Sequence, residues 1–347
     1  MGDSTVLIGR EREIGATAEA LRRARLVTLT GPGGVGKTRL ALDLAGRLSP
    51  RPPDGVWLVD LTALPFGWDV PAETARTLGI RSPGGPAATE ALCRHLESRD
   101  PLLVLDSCEH VLDSCAGLAA ALLRRCAHVR ILATSREPFG IAGETVREVD
   151  PLEPEDASRL FVERARPGGA DETVVAQLCA RLERLPLGIE LAAARVATVP
   201  VAEILQSVEA SHRSVRSVLR WSTQLLDPTE RKALRRLAVF VGGFDAAAAH
   251  AVAPGLTVEL LGRLVDTALV TVPPSAGSRT RYRLLEPVRE YAWELLVDAG
   301  EAAAASSRHL RHYASLGDDA FDRWPSPDAP PLVADLEAEY ANVRVAA

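Results

Sequence analysis

Residues 31–38 are Gly31-Pro32-Gly33-Gly34-Val35-Gly36-Lys37-Thr38. They follow an apolar run, Leu26-Val27-Thr28-Leu29-Thr30, and open a segment, 37–48, whose apolar residues recur at helical spacing. The octet satisfies Gly-x-x-x-x-Gly-Lys-(Ser/Thr) in the strand-to-helix setting that gives this pattern its meaning. Its glycines let the backbone curl so that successive N–H groups point inward at phosphate oxygens, and the helix N-terminus adds its positive end. Lys37 is then placed to bridge β- and γ-phosphates. Thr38 offers a hydroxyl to Mg²⁺, an ion that prefers octahedral oxygen ligands and keeps several waters. Lys37 and Lys232 are the two lysines among 40 basic side chains, so composition does not explain the match.

Further along the chain, 56–61, 102–106 and 129–134 are short, nearly continuous apolar runs, which suit strands buried on both faces. A fifth strand is expected near 145–149. Segments with helical spacing, such as 87–98 and 113–125, lie between them, so a parallel α/β sheet is predicted up to about Asp150. Leu102-Leu103-Val104-Leu105 ends in Asp106, a carboxylate suited to holding Mg²⁺ with Thr38. Ala133-Thr134-Ser135 ends in Arg136, whose guanidinium suits contact with a terminal phosphate. Ligands of open parallel sheets bind beyond the carboxyl ends of the strands, where Gly31, Asp106 and Thr134 all stand.

After Pro151-Leu152-Glu153-Pro154 the pattern turns wholly helical, with helices expected at 155–166, 171–184, 187–198 and 201–208. Helices at 214–226, 229–241 and 258–267, a hairpin of strands at 269–273 and 280–284, and a helix at 287–299 suggest a winged helix. A helix is expected from 301 to Trp324-Pro325-Ser326-Pro327, then a Pro-rich linker and an amphipathic segment, 332–347. The expected organisation is therefore 1–150, an α/β P-loop NTPase parallel sheet; 151–212, an all-α helical bundle; 213–302, a winged-helix domain; and 303–347, a helical segment beginning a repeat region.

The length of 347 residues, 47% hydrophobic and 25% charged, suits two or three folding units and excludes a disordered chain. No apolar stretch is long enough to cross a bilayer and no signal segment opens the chain, so a cytoplasmic protein without membrane attachment is expected. The five cysteines form no Cys-x-x-Cys pair and are expected as small buried hydrophobes. The net charge of -6 argues against a surface built for nucleic acid, although 211–236 is locally basic. The candidate recognition helix, 258–267, offers Arg263 beside Glu259 and Asp266, too few donors to follow a phosphate backbone. A DNA-binding regulator acting through the winged helix is the competing reading, and direct DNA contact is not expected. A metabolic kinase or a pump motor lacks support from a second substrate motif or a membrane helix.

Together these motifs resemble the signal-transduction ATPases with numerous domains (STAND), and specifically the NB-ARC-type module of actinobacterial-like antibiotic-pathway and LuxR-type transcriptional regulators. Leu7-Ile8-Gly9-Arg10-Glu11 is similar to the family's element beside the adenine; 103–110 and Thr134-Ser135-Arg136-Glu137 resemble its acid and sensor motifs. Arg184-Leu185-Pro186-Leu187-Gly188 resembles the motif whose proline packs on the nucleotide from the helical domain. Trp221-Ser222, Arg281-Tyr282-Arg283-Leu284-Leu285-Glu286 and Arg289-Glu290-Tyr291 resemble its winged-helix region.

The resemblance implies ATP/ADP and Mg²⁺ as cofactors and contacts to the nucleotide from Gly9, Arg10, Pro32, Gly33, Gly34, Val35, Gly36, Lys37, Thr38, Arg39, Pro186 and Leu187. Thr38 and Asp106 are the expected metal residues. Lys37, Asp106, Arg136 and Glu109 are the expected catalytic set. Ser107 follows the metal acid where relatives often carry Asp, which leaves Glu109 as the nearest candidate base. No histidine stands at Leu284-Leu285-Glu286, where eukaryotic relatives have a latch to the ADP phosphate. The implied function is a nucleotide-gated switch with slow ATP hydrolysis that assembles with itself when ATP-bound and works with sensor, repeat and effector domains outside this chain.

Overall fold

The computed structural model describes residues 7–346 apart from 63, 65–67, 83, 166–170, 210–214, 274–279 and 324–338. The chain divides into two compact units, one ending at Asp156 and the other running from Ala157 onward. The first break therefore falls six residues beyond the expected 150, because the chain enters helix Pro154–Arg164 before it leaves the first unit.

In the first unit the strands β1 (Leu26–Thr30), β2 (Val56–Asp60), β3 (Leu102–Asp106), β4 (Arg130–Thr134) and β5 (Glu144–Glu148) form one sheet in the order β2-β3-β4-β1-β5. Every pairing is parallel. All five predicted strands are present within one residue at each end. β1 and β3 are buried at every position, as their unbroken apolar sequences require, whereas the edge strand β2 leaves Val56 and Leu58 exposed. The helices are α1 (Glu11–Arg23), α2 (Lys37–Arg47), α3 (Val70–Thr77), α4 (Gly85–Leu96) and α5 (Leu112–Arg125). Leu103, Leu105 and Ile131 of the sheet pack with Leu92 and Leu96 of α4 and Leu118 and Leu122 of α5 in the main core. Cys93, Cys108, Cys115 and Cys126 belong to that core, and Cys179 is buried in the second unit, so all five act as the small hydrophobes expected. Burial pushes the Cys126 and Cys179 thiols up to about 11, which keeps them protonated and unreactive at neutral pH.

The second unit is helical: α6 (Pro154–Arg164) leads into it, followed by α7 (Glu172–Arg181), α8 (Pro186–Ala193), α9 (Val201–Glu209) and α10 (Val215–Gln224). The predicted helix 171–184 stops at Arg181 because Glu183 and Arg184 both take positive φ, turning the chain into Leu185-Pro186. The predicted helix 187–198 keeps regular form only to Ala193.

Next come α11 (Pro228–Leu237), α12 (Ala246–Val252), α13 (Val258–Asp266) and α14 (Glu286–Asp298), then α15 (Ala302–Arg323) and α16 (Tyr340–Ala346). Asp227 accepts from the backbone of Thr229 and Glu230 while Glu230 returns a contact to the Asp227 N–H, a capping box that starts α11 with Pro228 at its first turn. The helix α12, built on an alanine run without a marked amphipathic stripe, is missing from the sequence prediction and takes its place between α11 and α13. The expected strand 269–273 contributes a bridge from Thr271 to Arg283, and Tyr282 bridges to Phe244. Much of the predicted hairpin turn lies outside the described residues.

The short α16 seats itself through a polar cluster. Asn342, fully buried, accepts from the Val241 N–H (3.1 Å) and donates to the Gly243 carbonyl (2.6 Å) and to Glu339 (3.0 Å). Glu339 also pairs with Arg281 and accepts from the Tyr313 hydroxyl at 2.8 Å. A Cβ on Gly242 would stand 2.6 Å from that of Ala341, so the turn has room only for glycine. Burial holds the neighbouring His309 imidazole down at about 4, against the opposing pull of Asn342 and Glu339.

Two outcomes follow from this cluster. Asn342→Ala leaves the part-buried Val241 N–H without its acceptor and removes a buried donor to Gly243 and Glu339, and is expected to destabilise the second unit by about 2–3 kcal/mol, read as a lower denaturant midpoint. On acidification the unfolded chain takes up a proton at His309 before the folded one does. Stability should therefore fall as pH drops from about 6.5 towards 4, by up to about 3 kcal/mol. His309→Gln should flatten that slope in a pH series of unfolding curves.

Candidate nucleotide-binding site

The loop 31–36 leaves β1 at its carboxyl end and enters α2 through Gly36, which has φ +99°. Gly34 also has positive φ, and Gly31 has φ +142° with its Cβ position 2.8 Å from the Val149 carbonyl. Gly31 therefore lets the loop pass close beside the strand next door, and Gly34 and Gly36 curl it. Space opens beyond Gly36, where a Cβ would meet nothing within 4 Å. Lys37 is buried and donates to the carbonyls of Gly31 (2.8 Å) and Pro32 (3.2 Å).

Strand order explains what assembles around the loop. β4 lies between β1 and β3, with Leu29 opposite Thr134 and Ala133 opposite Leu105. The ends of β1, β4 and β3 therefore stand side by side. Asp106 Oδ1 accepts from the Thr38 hydroxyl at 2.7 Å and from the Thr134 hydroxyl at 2.6 Å. Thr134 in turn accepts from the Ser107 N–H at 2.9 Å through Oγ1, and its carbonyl accepts from the Cys108 N–H at 2.9 Å. Ser107 has φ +62°, strain that a non-glycine residue carries where the surrounding bonds fix it. Thr134 was placed by sequence at a strand end but given no role; its registration between Leu29 and Asp106 supplies one.

Arg136, two residues past Thr134, lies 3.3 Å through Nε from Glu109 Oε1. The two expected catalytic residues thus meet each other. Arg10 is buried and donates to the Val35 carbonyl (3.0 Å) and to Glu13 (2.7 Å), bracing the loop from behind. Gly9, with φ +66°, lies so close to Asp156 that a Cβ would stand 2.4 Å from its carboxyl carbon. Arg39 follows Thr38 in the first turn of α2. Pro186 and Leu187 open α8 in the second unit. No group of three or more His, Cys, Asp or Glu side chains placed to hold a metal ion occurs among the described residues.

These features fit a phosphate group and a hard cation: a curled run of backbone amides at a helix N-terminus, a lysine held against that run, and a hydroxyl and carboxylate 2.7 Å apart. Fold and loop define a P-loop NTPase-type parallel sheet joined to a winged helix. The model of a family described as a winged helix-turn-helix domain matches residues 226–297, which comprise α11 to α13, the two bridges and most of α14. An HTH-type transcriptional regulator so named in Mycobacterium tuberculosis is 41% identical over 94% of this chain; the chain spans 40% of its length. An uncharacterised protein of the same organism is 39% identical over 89% of this chain and 86% of its own. The crystal structure of a STAND protein with a tetratricopeptide repeat sensor, from Pyrococcus horikoshii, superposes over all of this chain and 49% of its own, with a TM-score of 0.62 and 18% identity. The chain belongs to the same family as that uncharacterised mycobacterial protein, and its fold is that of the Pyrococcus horikoshii structure. No helix among the described residues is long and apolar enough to cross a membrane.

The match begins at residue 226, after α10, and takes in α11, α12 and α13. Arg263 on α13 contacts Glu230 at 2.7 Å and stands 3.9 Å from Asp227.

Substitutions in the loop and in the helix behind it should separate backbone constraint from packing. Gly31→Ala forces both a disfavoured φ and a collision with Val149, and is expected to cost at least about 2 kcal/mol. Gly46→Ala, in α2 with nothing within 4 Å, should stabilise by about 0.5–1 kcal/mol. Thermal unfolding of the two variants beside the parent reads both.

Proposed function

We propose that this chain is a nucleotide-gated switch: an ATP- and ADP-binding module that hydrolyses ATP slowly and whose bound nucleotide controls a transcriptional regulator. The observation that supports this most directly is the convergence of Thr38 and Thr134 on Asp106 beside a curled, glycine-shaped loop.

In this reading the loop amides from Gly33 to Lys37, with Pro32 shaping the turn, bind the phosphates, and Lys37 leaves its carbonyl partners to neutralise the β- and γ-oxygens. Thr38 and Asp106 hold Mg²⁺, whose charge offsets that developing on the phosphates. Arg10 keeps the loop in shape from behind, and with Gly9 belongs to the adenine end of the site; Arg39 flanks the phosphate end. Arg136 responds to the terminal phosphate, and Glu109 accepts the proton of the attacking water. Self-assembly in the triphosphate form shifts only by the difference in the nucleotide's contacts between the two states, typically about 1–3 kcal/mol.

The finer division of the helical part into 151–212, 213–302 and 303–347 belongs to the same proposal, as does a cytoplasmic location. Sensor and effector parts are proposed in the portion of the longer regulators that this chain does not span. The match to a winged helix-turn-helix family favours a second reading, direct DNA binding. Against it, the pairing of Arg263 with Glu230 occupies the basic side chain of α13. A mobility-shift titration at two salt concentrations separates the readings, since phosphate-following contacts weaken steeply with salt.

Lys37→Ala is expected to abolish retention of ADP and ATP while circular dichroism stays unchanged, and Thr38→Ala to remove the dependence of binding on Mg²⁺. Undiminished nucleotide retention by the Lys37 variant would overturn the proposal.

A further inference from the structure

Arg136 and Glu109 sit on adjacent strand ends, two residues beyond Thr134 on β4 and three beyond Asp106 on β3. Their side chains differ in freedom. The Arg136 side chain is 44% exposed and the Glu109 side chain 18% exposed, with the contact at 3.3 Å. Glu109 Oε2 is buried and accepts no hydrogen bond among the described residues. A guanidinium half in water can move at small cost, whereas the carboxylate is largely buried.

We infer that Glu109 is a competitor for Arg136, and that the guanidinium exchanges between this carboxylate and the terminal phosphate of a bound triphosphate. The inference rests on the nucleotide reading above and adds what sets its selectivity. Gaining the γ-phosphate requires giving up Glu109, so the preference of the site for triphosphate over diphosphate is reduced by the strength of the pair. A pair of this exposure is worth a factor of about two to five in an equilibrium. The same exchange leaves the Glu109 carboxylate clear of the guanidinium only when a third phosphate is present, and lets the pair form again once the γ-phosphate has gone. Glu109 is in this respect a positioning residue for Arg136, whatever part it takes in proton transfer.

The strength of the coupling is read without turnover. Affinities for Mg-ADP and for the nonhydrolysable β,γ-imido analogue of Mg-ATP are measured by calorimetry on the full chain, for the parent, Glu109→Gln, Glu109→Ala, Arg136→Ala and the Arg136→Ala/Glu109→Gln double variant. Removing the Glu109 charge should raise the triphosphate-to-diphosphate affinity ratio about two- to fivefold. Arg136→Ala should lower that ratio below the parent's, and adding Glu109→Gln to it should change nothing further. An unchanged ratio in both Glu109 variants, or the same rise in the Arg136→Ala background, overturns the exchange while leaving nucleotide binding intact. Failure of the parent to bind either nucleotide overturns the nucleotide reading and the exchange with it.

Discussion

One carboxylate oxygen, Asp106 Oδ1, receives hydroxyl hydrogen bonds from two different elements, Thr38 at the start of α2 and Thr134 at the end of β4. The rest of the site depends on that convergence. It ties the end of β3 to the loop after β1 and to β4 between them, so three strand ends share one set of bonds. A buried carboxylate needs such donors, because an ionised oxygen without partners in a dry interior is very costly. In the proposed function the same oxygens would hold a hydrated divalent cation. Structure and chemistry thus draw on one local arrangement.

The second unit rests on a comparable device at its far end. There an asparagine side chain stands in for a peptide group, completing the backbone hydrogen bonds of the turn at Val241 and Gly243. Glu339 links that turn through Arg281 to the segment that carries the Tyr282 and Arg283 bridges, and to α15 through Tyr313. The winged helix is therefore fixed by polar contacts that lie far along the chain from it. Burying so many polar groups stabilises only when each finds its partner, which makes the cluster sensitive to single substitutions.

Much of this was legible in the sequence, for reasons that differ from element to element. Strands β1, β3 and β4 are buried on nearly every residue and betray themselves as almost unbroken apolar runs, while the edge strands β2 and β5 are partly exposed and β5 is largely polar. The loop was legible because Gly31, Gly34 and Gly36 occupy conformations that other residues avoid and because Lys37 is nearly alone of its kind. Helix α12 was missed because Ala246–Val252 has no apolar stripe to distinguish inside from outside. The end of α7 was missed because its stop is made by Glu183 and Arg184 in positive φ, with no glycine or proline to mark it. Thr134 and the pairing of Arg136 with Glu109 depend on which strands are neighbours, and strand order is a tertiary fact that spacing along the chain does not carry. Asn342 likewise gains its role from a partner 99 residues away.

The account stands or falls on whether the loop before Lys37 grips a nucleotide at all. The direct measurement is calorimetric titration of protein stripped of any bound nucleotide, with ADP and then with ATP in the presence of magnesium. Saturable binding of one nucleotide per chain, with a raised melting temperature, is the predicted result. No heat and no shift in melting temperature, from a protein whose folded state is otherwise intact, would contradict it.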